Sequence, residues 1–204
     1  MPAESAVRQV VLASGNKGKL AEIRSLLEGT GLGVVPQSEF AIVEVAETGL
    51  TFVENAILKA RAACAGAGLP AIADDSGLEV DFLQGAPGVR SARFAGQGCT
   101  DEDNNRLLLE RLQDVPEAAR SARFRCVMVY LRHSCDPAPI ICEGVWEGRI
   151  GMRPSGERGF GYDPVFVPSG TSQSAACLVP AEKNRQSHRG QALRRLIAIM
   201  TVAA

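Results

Sequence analysis

Short apolar segments alternate along the chain with segments whose apolar residues recur at helical spacing. The short apolar segments are bounded by glycine, proline or polar residues and predict strands at residues 9–13, 32–35, 71–74, 123–130, 140–145 and 164–167. Helical spacing predicts helices over 17–28, after Thr51, after Thr100 and after Ser187. Because strands and helices are mixed throughout, we expect an α/β or α+β fold with a mixed central sheet flanked by helices.

Two features refine this expectation. The segment Thr51–Glu54 has the form of a capping box, which marks the first turn of a helix. No linker and no internal repeat interrupts the pattern, so we expect a single domain over residues 1–204.

The composition is that of an ordinary globular protein, with 46% hydrophobic and 22% charged residues in a chain of 204. The 22 cationic and 23 anionic residues give a formal net charge of -1, which argues against a broad basic face for nucleic acid. The cations comprise 18 arginines and four lysines, namely Lys17, Lys19, Lys59 and Lys183.

The six cysteines form no C-x-x-C pair, and only two histidines accompany them, so a Cys/His zinc site is poorly supported. We expect reduced thiols, several of them buried, in a cytoplasmic protein. The segment Met1–Gln9 lacks the apolar stretch of a signal peptide, and no run of about 18 apolar residues predicts a membrane span.

The segment between the first strand and the first helix is a candidate phosphate-binding loop. Small residues there let backbone N–H groups approach an anion, and the helix N-terminus adds positive potential. The residues concerned are Ser14, Gly15, Asn16, Lys17, Gly18 and Lys19. The alternative is an ordinary capped turn with solvated lysines.

Three carboxylates form the candidate acidic group. Glu47 lies in a predicted turn, and Asp74 and Asp75 end a short predicted strand. Adjacent strand residues point to opposite faces, so the two aspartates are expected to have different roles. Carboxylates that converge from separate loops would suit Mg²⁺. The alternative for Asp-Asp-Ser-Gly is a simple turn, which these residues favour.

Two further polar positions share one helix face, because Asn55 and Lys59 are four residues apart. They are either functional or part of a solvated polar stripe.

Later in the chain, residues 159–164 read Gly-Phe-Gly-Tyr-Asp-Pro, where flanking glycines leave an open approach to an aromatic ring for base stacking. Alternatively the aromatic side chains fill the core, and for Tyr162 this interpretation is at least as well supported as base stacking.

A group of hydrogen-bond donors lies at a predicted helix start, which suits a phosphate or a purine 6-oxo group. These donors belong to Lys183 and Ser187-His188-Arg189. The alternative is a serine N-cap beside solvated side chains.

Five motifs occur together in a fixed order: Ser-Gly-Asn-x-x-Lys, Glu-Thr-Gly-x-Thr-Phe-x-Glu-Asn-Ala, Ala-Asp-Asp-Ser-Gly-Leu, Gly-Phe-Gly-Tyr-Asp-Pro and Glu-Lys-Asn-x-x-Ser-His-Arg. The set resembles the inosine triphosphate pyrophosphatase family, hydrolases of non-standard purine nucleoside triphosphates. Residues 85–93 also resemble the bacterial branch, the XTP/dITP diphosphatases. The resemblance covers roughly residues 10–196. Ser14 stands where threonine is common, and it keeps the hydroxyl.

The resemblance implies a role for each matching position. Ser14 to Lys19 would hold the triphosphate, and Glu47 and Asp75 would bind Mg²⁺. Asp75 would act as general base towards water, with Lys19 and Lys59 as further catalytic residues. Asn55 would face the phosphate channel, and Ser76 would touch the substrate.

The base pocket implied by the resemblance comprises Phe160, Gly161, Tyr162 and Asp163, with Phe160 stacking on the purine. Lys183, His188 and Arg189 would bind the carbonyl edge of the base. Similar proteins have a long mixed sheet with two lobes around a substrate cleft, and they are homodimers. The implied reaction releases a nucleoside monophosphate and pyrophosphate, which removes non-standard nucleotides before their incorporation into DNA or RNA.

Two other classes of function stay open at this point. A non-catalytic nucleotide-binding module would need the phosphate-binding loop but not Asp75. A nucleic-acid-binding protein would account for the 18 arginines but not for the net charge of -1.

Overall fold

Six strands form one sheet in the computed structural model, which describes residues 8–42 and 45–202. In chain order they are β1 (Arg8–Ala13), β2 (Leu32–Pro36), β3 (Ala71–Val80), β4 (Ser121–Leu131), β5 (Ile140–Ile150) and β6 (Phe166–Pro168). The strand order is β2-β1-β3-β4-β5-β6. Strand β1 runs parallel to β2 and β3, whereas β5 and β6 are antiparallel, so the predicted mixed sheet is confirmed.

Five α-helices accompany the sheet within the described ranges: α1 (Lys17–Leu27), α2 (Phe52–Ala67), α3 (Asp101–Arg111), α4 (Pro180–Gln186) and α5 (His188–Val202). The predicted capping box at Thr51 and Glu54 is present, and a second one joins Thr100 to Asp103. Helix α4 was not predicted, because its sequence Pro-Ala-Glu-Lys-Asn-Arg-Gln carries no apolar spacing.

Strand β3 corrects one expectation. The segment Asp75-Ser76-Gly77 is not a turn, since the strand continues from Ala71 to Val80. The strand lies between β1 and β4 in the sheet, where neighbouring strands can satisfy the backbone of residues with weak strand propensity. Strand β5 also extends beyond the predicted end at Val145, to Ile150.

The described residues form two compact units. The first comprises residues within 1–75, 127–142 and 193–204. Its core contains the buried β1 residues Val10 to Ala13, the α1 residues Ile23 and Leu27, and the small α2 residues Ala56, Ala60 and Ala63. The apolar spacing predicted for α1 and α2 therefore marks their buried faces.

The second unit comprises residues 76–126 and 143–192. Its core combines aliphatic and aromatic side chains of β3, α3, β4, β5 and β6, including Leu78, Leu108, Phe124, Trp146 and Phe166. The side chain of Arg120 is also fully buried and donates to the backbone carbonyls of Leu112, Val115 and Gly151. These bonds join the end of α3 to the loop that follows β5.

All six cysteines are free thiols, and Cys64, Cys126 and Cys142 are buried, as predicted. Across residues 8–42 and 45–202 no helix is both long and apolar enough to cross a membrane. The prediction that Met1–Gln9 carries no signal peptide lies mainly outside the described residues. The single domain over 1–204 and the substrate cleft between two lobes stay predictions.

Candidate active site

The loop between β1 and α1 is organised by its own polar side chains. Asn16 is the N-cap of α1 and accepts a hydrogen bond from the backbone N–H of Lys19 at 3.0 Å. The hydroxyl of Ser14 accepts one from the N–H of Asn16 at 3.2 Å. The capped turn is therefore confirmed, and it leaves Gly15 and Lys17 exposed at the start of an 11-residue helix. An exposed helix N-terminus of this kind is suited to an anion.

The two lysines of this loop differ. Lys17 is exposed, whereas the ammonium of Lys19 forms an ion pair with Asp74 at 3.0 Å, and the Asp74 side chain is fully buried. The alternative of solvated lysines is thus correct for Lys17 and wrong for Lys19.

The alternation of β3 sends the two aspartates to different partners. Asp74 contacts Lys19, while Asp75 contacts Lys59 and Asn55. The two aspartates therefore have different partners, as the alternation of a strand requires, and the difference in their roles stays a prediction.

The Lys59 ammonium lies between two carboxylates. Its Nζ is 2.8 Å from Glu47 Oε1 and 2.8 Å from Asp75 Oδ1. Burial opposes the charge of Lys59, but Asp74, Asp75 and Glu47 outweigh it and raise the pKa of the ammonium. Burial raises the pKa of Asp75, and Lys59 offsets only part of that effect. Asp75 is therefore a carboxylate with more affinity for a proton than an exposed one has.

Asn55 connects Asp75 to the segment that carries Glu47. It is completely buried, donates from Nδ2 to Asp75 Oδ2 at 3.3 Å, and accepts from the Gly49 N–H at 2.8 Å. A Cβ on Gly49 would lie only 2.7 Å from the Asn55 amide oxygen, so the close approach requires glycine. The alternative that Asn55 belongs to a solvated polar stripe is therefore wrong.

These oxygens fit a hard divalent cation. Glu47 and Asp75 both contact the Lys59 ammonium, so their carboxylate oxygens lie close to each other. Among the described residues no group of three or more histidine, cysteine or acidic side chains could hold a metal ion. One or two carboxylates suffice for Mg²⁺, which takes its other ligands from water and phosphate.

A second group of predicted residues lies in the second unit, around Phe160. Asp163 Oδ2 accepts from the Phe160 N–H at 2.9 Å, and a Cβ on Gly159, where φ is +79°, would collide with that carboxylate. The Tyr162 ring is buried and its hydroxyl donates to the Ser91 carbonyl at 2.8 Å. Burial raises the pKa of Tyr162. Tyr162 therefore fills the core, while Phe160 stays half-buried.

Two cations lie near the Phe160 ring. Lys183 forms an ion pair with Asp163, and its Nζ is 4.8 Å from the ring centroid. The Arg189 guanidinium carbon is 5.6 Å from the same centroid, and its Nη2 donates to the Ser76 hydroxyl at 3.0 Å. An aromatic ring with cations beside it suits an oxygen-bearing aromatic base.

The start of α5 is buried. The Ser187 hydroxyl accepts from the Gly190 N–H at 3.1 Å, so the predicted serine cap is confirmed. The alternative that the side chains beside Ser187 are solvated is wrong, because His188 and Arg189 are only 4% and 2% exposed. The His188 ring stacks on Phe124, with centroids 4.8 Å apart. A Cβ on Gly144 would collide with the His188 carbonyl, so this glycine permits the approach of the helix.

The predicted site residues therefore form two groups, one in each unit. The first contains the Ser14–Lys19 loop, Glu47, Asn55, Lys59 and Asp75; the second contains Ser76, residues 160–163, Lys183, His188 and Arg189. Neither the pairing of Asp74 with Lys19 nor the close approach of Gly49 to Asn55 was predicted. For Asp74, the alternation of side chains along β3 was a signal that could have indicated a partner of its own. For Gly49, the sequence contains no such signal.

Comparison with known proteins identifies the family. The model of the Ham1 family matches residues 10–199. The chain belongs to the Ham1 family. A protein of Thioalkalivibrio sulfidiphilus named dITP/XTP pyrophosphatase is 59% identical over 189 residues, 93% of this chain and 96% of that protein. One from Escherichia coli O157:H7 with the same name is 55% identical over 191 residues, 94% of this chain and 97% of its own length.

Solved structures of Ham1 proteins agree with the fold. The HAM1 protein of Coxiella burnetii superimposes with a TM-score of 0.88 at 49% identity, covering 96% of this chain and 99% of that one. The Ham1 protein of Staphylococcus aureus gives a TM-score of 0.84 at 37% identity, covering 97% and 100% of the two chains. The family resemblance drawn from the five motifs is thereby confirmed.

Proposed function

We propose that this Ham1 protein hydrolyses non-standard purine nucleoside triphosphates, namely XTP, ITP and dITP, to the monophosphate and pyrophosphate. The main supporting observation is the Lys59 ammonium between Glu47 and Asp75, at 2.8 Å from each. The adjacent Asp74 forms an ion pair with Lys19 of the loop at the start of α1. The names of the T. sulfidiphilus and E. coli relatives support the same reaction. In the cell, this activity would remove such nucleotides before their incorporation into DNA or RNA.

The first unit holds the groups for the triphosphate. We assign phosphate binding to the α1 N-terminus, with Ser14, Asn16, Lys17 and Lys19 as donors. Glu47 and Asp75 would hold Mg²⁺, which when bound neutralises phosphate charge and polarises the phosphoryl oxygens.

Asp75 is the group best suited to receive a proton from the attacking water. Its burial gives the carboxylate a raised pKa, which makes it a better base than an exposed aspartate. Asn55 and Lys59 each donate to one Asp75 oxygen, so they restrict the orientation of the carboxylate. Lys59 would also neutralise developing charge on phosphate oxygens, as would Lys19.

The second unit holds the groups for the base. Phe160 would stack on the purine, and Lys183, His188 and Arg189 would donate to its 6-oxo edge, with Ser76 as a substrate contact. A 6-amino group facing these donors would disfavour ATP. Exclusion of GTP would come from its 2-amino group, which either clashes or stays unpaired.

A substrate panel tests this function directly. We expect release of pyrophosphate from dITP, ITP and XTP with Mg²⁺, at kcat/KM values roughly 10²-fold or more above those for GTP and ATP. Equal turnover of GTP would contradict the assignment of the base site. Orthophosphate as the first product would contradict cleavage between the α- and β-phosphates.

The role of Asp75 is tested by Asp75→Asn, with the exposed Asp114→Asn as a matched control. We expect a fall in kcat of roughly 10²–10⁴-fold for the first variant, and unchanged kcat for the second. Full turnover by Asp75→Asn would exclude the general-base role. A wild-type protein that binds ITP without turnover would instead be a regulatory nucleotide-binding module.

We further propose that residues 1–204 act as one catalytic domain, as a homodimer in the cytoplasm, without membrane or nucleic-acid partners. Light scattering coupled to size-exclusion chromatography tests the assembly. A mass near 21.6 kDa at micromolar concentration would contradict the dimer.

A further inference from the structure

Both backbone polar groups of Gly161 are held by side chains of α3. The Gly161 N–H donates to Asp101 Oδ2 at 2.7 Å, and the Gly161 carbonyl accepts from Asn105 Nδ2 at 2.9 Å. These residues are 60 and 56 positions apart from Gly161 in the chain. Asp101 and Asn105 are four residues apart and therefore lie on one face of the helix.

The two bonds restrain both peptide planes that flank Gly161. One plane includes the Phe160 carbonyl, and the other leads into Tyr162, whose ring is fixed in the core. Gly161 itself has a φ of +61°, a conformation that its neighbours must maintain. With the Phe160 N–H bound to Asp163, the Phe160 backbone is restrained on both sides.

Helix α3 is in turn a firm support for these two side chains. Thr100 and Asp103 form a capping box at its start, and Asn104 holds the backbone of Ala92 and Ala95. The Asn105 side chain is buried, whereas Asp101 is exposed, so Asp101 can be replaced without opening the core.

We propose that Asp101 and Asn105 are positioning residues for purine recognition: they hold the Gly161 peptide so that the Phe160 ring is presented to the base. This inference rests on the proposed function, in which Phe160 stacks on the base. Neither residue touches the substrate in this proposal. Their effect is therefore on binding of the base, and the phosphate groups of the first unit are unaffected.

The test compares Asp101→Ala with Glu102→Ala. Both replacements remove an acidic side chain from the first turn of α3, but only Asp101 contacts Gly161. We expect Asp101→Ala to raise KM for dITP about tenfold, the equivalent of one charge-assisted hydrogen bond, with kcat within about twofold of wild type. The inhibition constant of pyrophosphate, which has no base, stays unchanged. Glu102→Ala matches wild type in all three quantities.

Asp101→Asn tests for rescue, because its amide oxygen can still accept from the Gly161 N–H. Since this bond is no longer charge-assisted, KM should lie between those of Asp101→Ala and wild type. In Asn105→Leu, which removes the donor at similar volume, KM should also rise. A folded Asp101→Ala variant with wild-type KM would overturn the proposal. So would an equal rise in the pyrophosphate inhibition constant, since that would indicate a general structural effect.

Phe160→Ala separates this inference from the proposed function. If Phe160→Ala raises KM for dITP and Asp101→Ala does not, the base site stands and the positioning role fails. If neither variant changes KM, the assignment of Phe160 to the base fails, and the positioning role fails with it.

Discussion

Replacement of Lys59 by methionine tests the charge balance of the first unit. The substitution keeps an unbranched apolar stem but removes the ammonium, leaving Glu47 and Asp75 without the cation that lies 2.8 Å from each. Loss of one member of a buried ion pair costs about 3–5 kcal/mol. Because the Glu47 side chain is 29% exposed and solvent screens it, we expect the lower end, about 3 kcal/mol. For a chain of this size this corresponds to a fall in Tm of roughly 9 °C.

The pH dependence follows from Asp75. Its pKa is raised in the folded state, so the folded protein binds the Asp75 proton more readily than the unfolded chain does. The stability that this proton confers is present below the ordinary carboxyl pKa and is lost as pH rises through the folded value. Without Lys59 the folded pKa rises further, because the strongest opposing influence is gone. The deficit of Lys59→Met should therefore be large at pH 7.5 and smaller at pH 4.5.

Thermal unfolding in EDTA at the two pH values measures this deficit, with Lys17→Met as the control for loss of an exposed lysine. Addition of Mg²⁺ at pH 7.5 should return part of the lost Tm, since a cation at the same carboxylates replaces the missing charge. A Lys59→Met variant as stable as wild type at pH 7.5, or one with an equal deficit at both pH values, would refute this electrostatic reasoning.

Three further substitutions test the second unit by urea denaturation. Arg120→Met should lose about 4 kcal/mol, because three buried carbonyls lose a charged donor; a loss below about 1 kcal/mol would mean that water replaces it. Gly144→Ala should lose about 3 kcal/mol and raise KM for dITP, since its Cβ displaces the backbone of His188; unchanged KM would separate this contact from base binding. Tyr162→Phe should lose about 1 kcal/mol at pH 7. That difference should shrink above about pH 10, where only the unfolded tyrosine ionises, and a constant difference would contradict the raised pKa of Tyr162.

Much of the secondary structure could be read from local patterns. Capping residues located the starts of α2 and α3, and a period of two along β3 separated Asp74 from Asp75. Local patterns failed where neighbours decide the conformation. Asp75-Ser76-Gly77 reads as a turn, yet it continues β3 because that strand lies inside the sheet. Helix α4 carries no apolar periodicity to reveal it.

The sequence by itself determined the family, the fold class and most residue types of the candidate site, because these depend on ordered motifs and on spacing along the chain. Only the tertiary structure decided which side chains meet. Lys59 joins two carboxylates that lie 12 and 16 positions away, and α3 holds Gly161 across 56 and 60 positions. Such contacts depend on how the elements pack against one another. Periodic patterns in the sequence reveal the elements but not which of them come into contact.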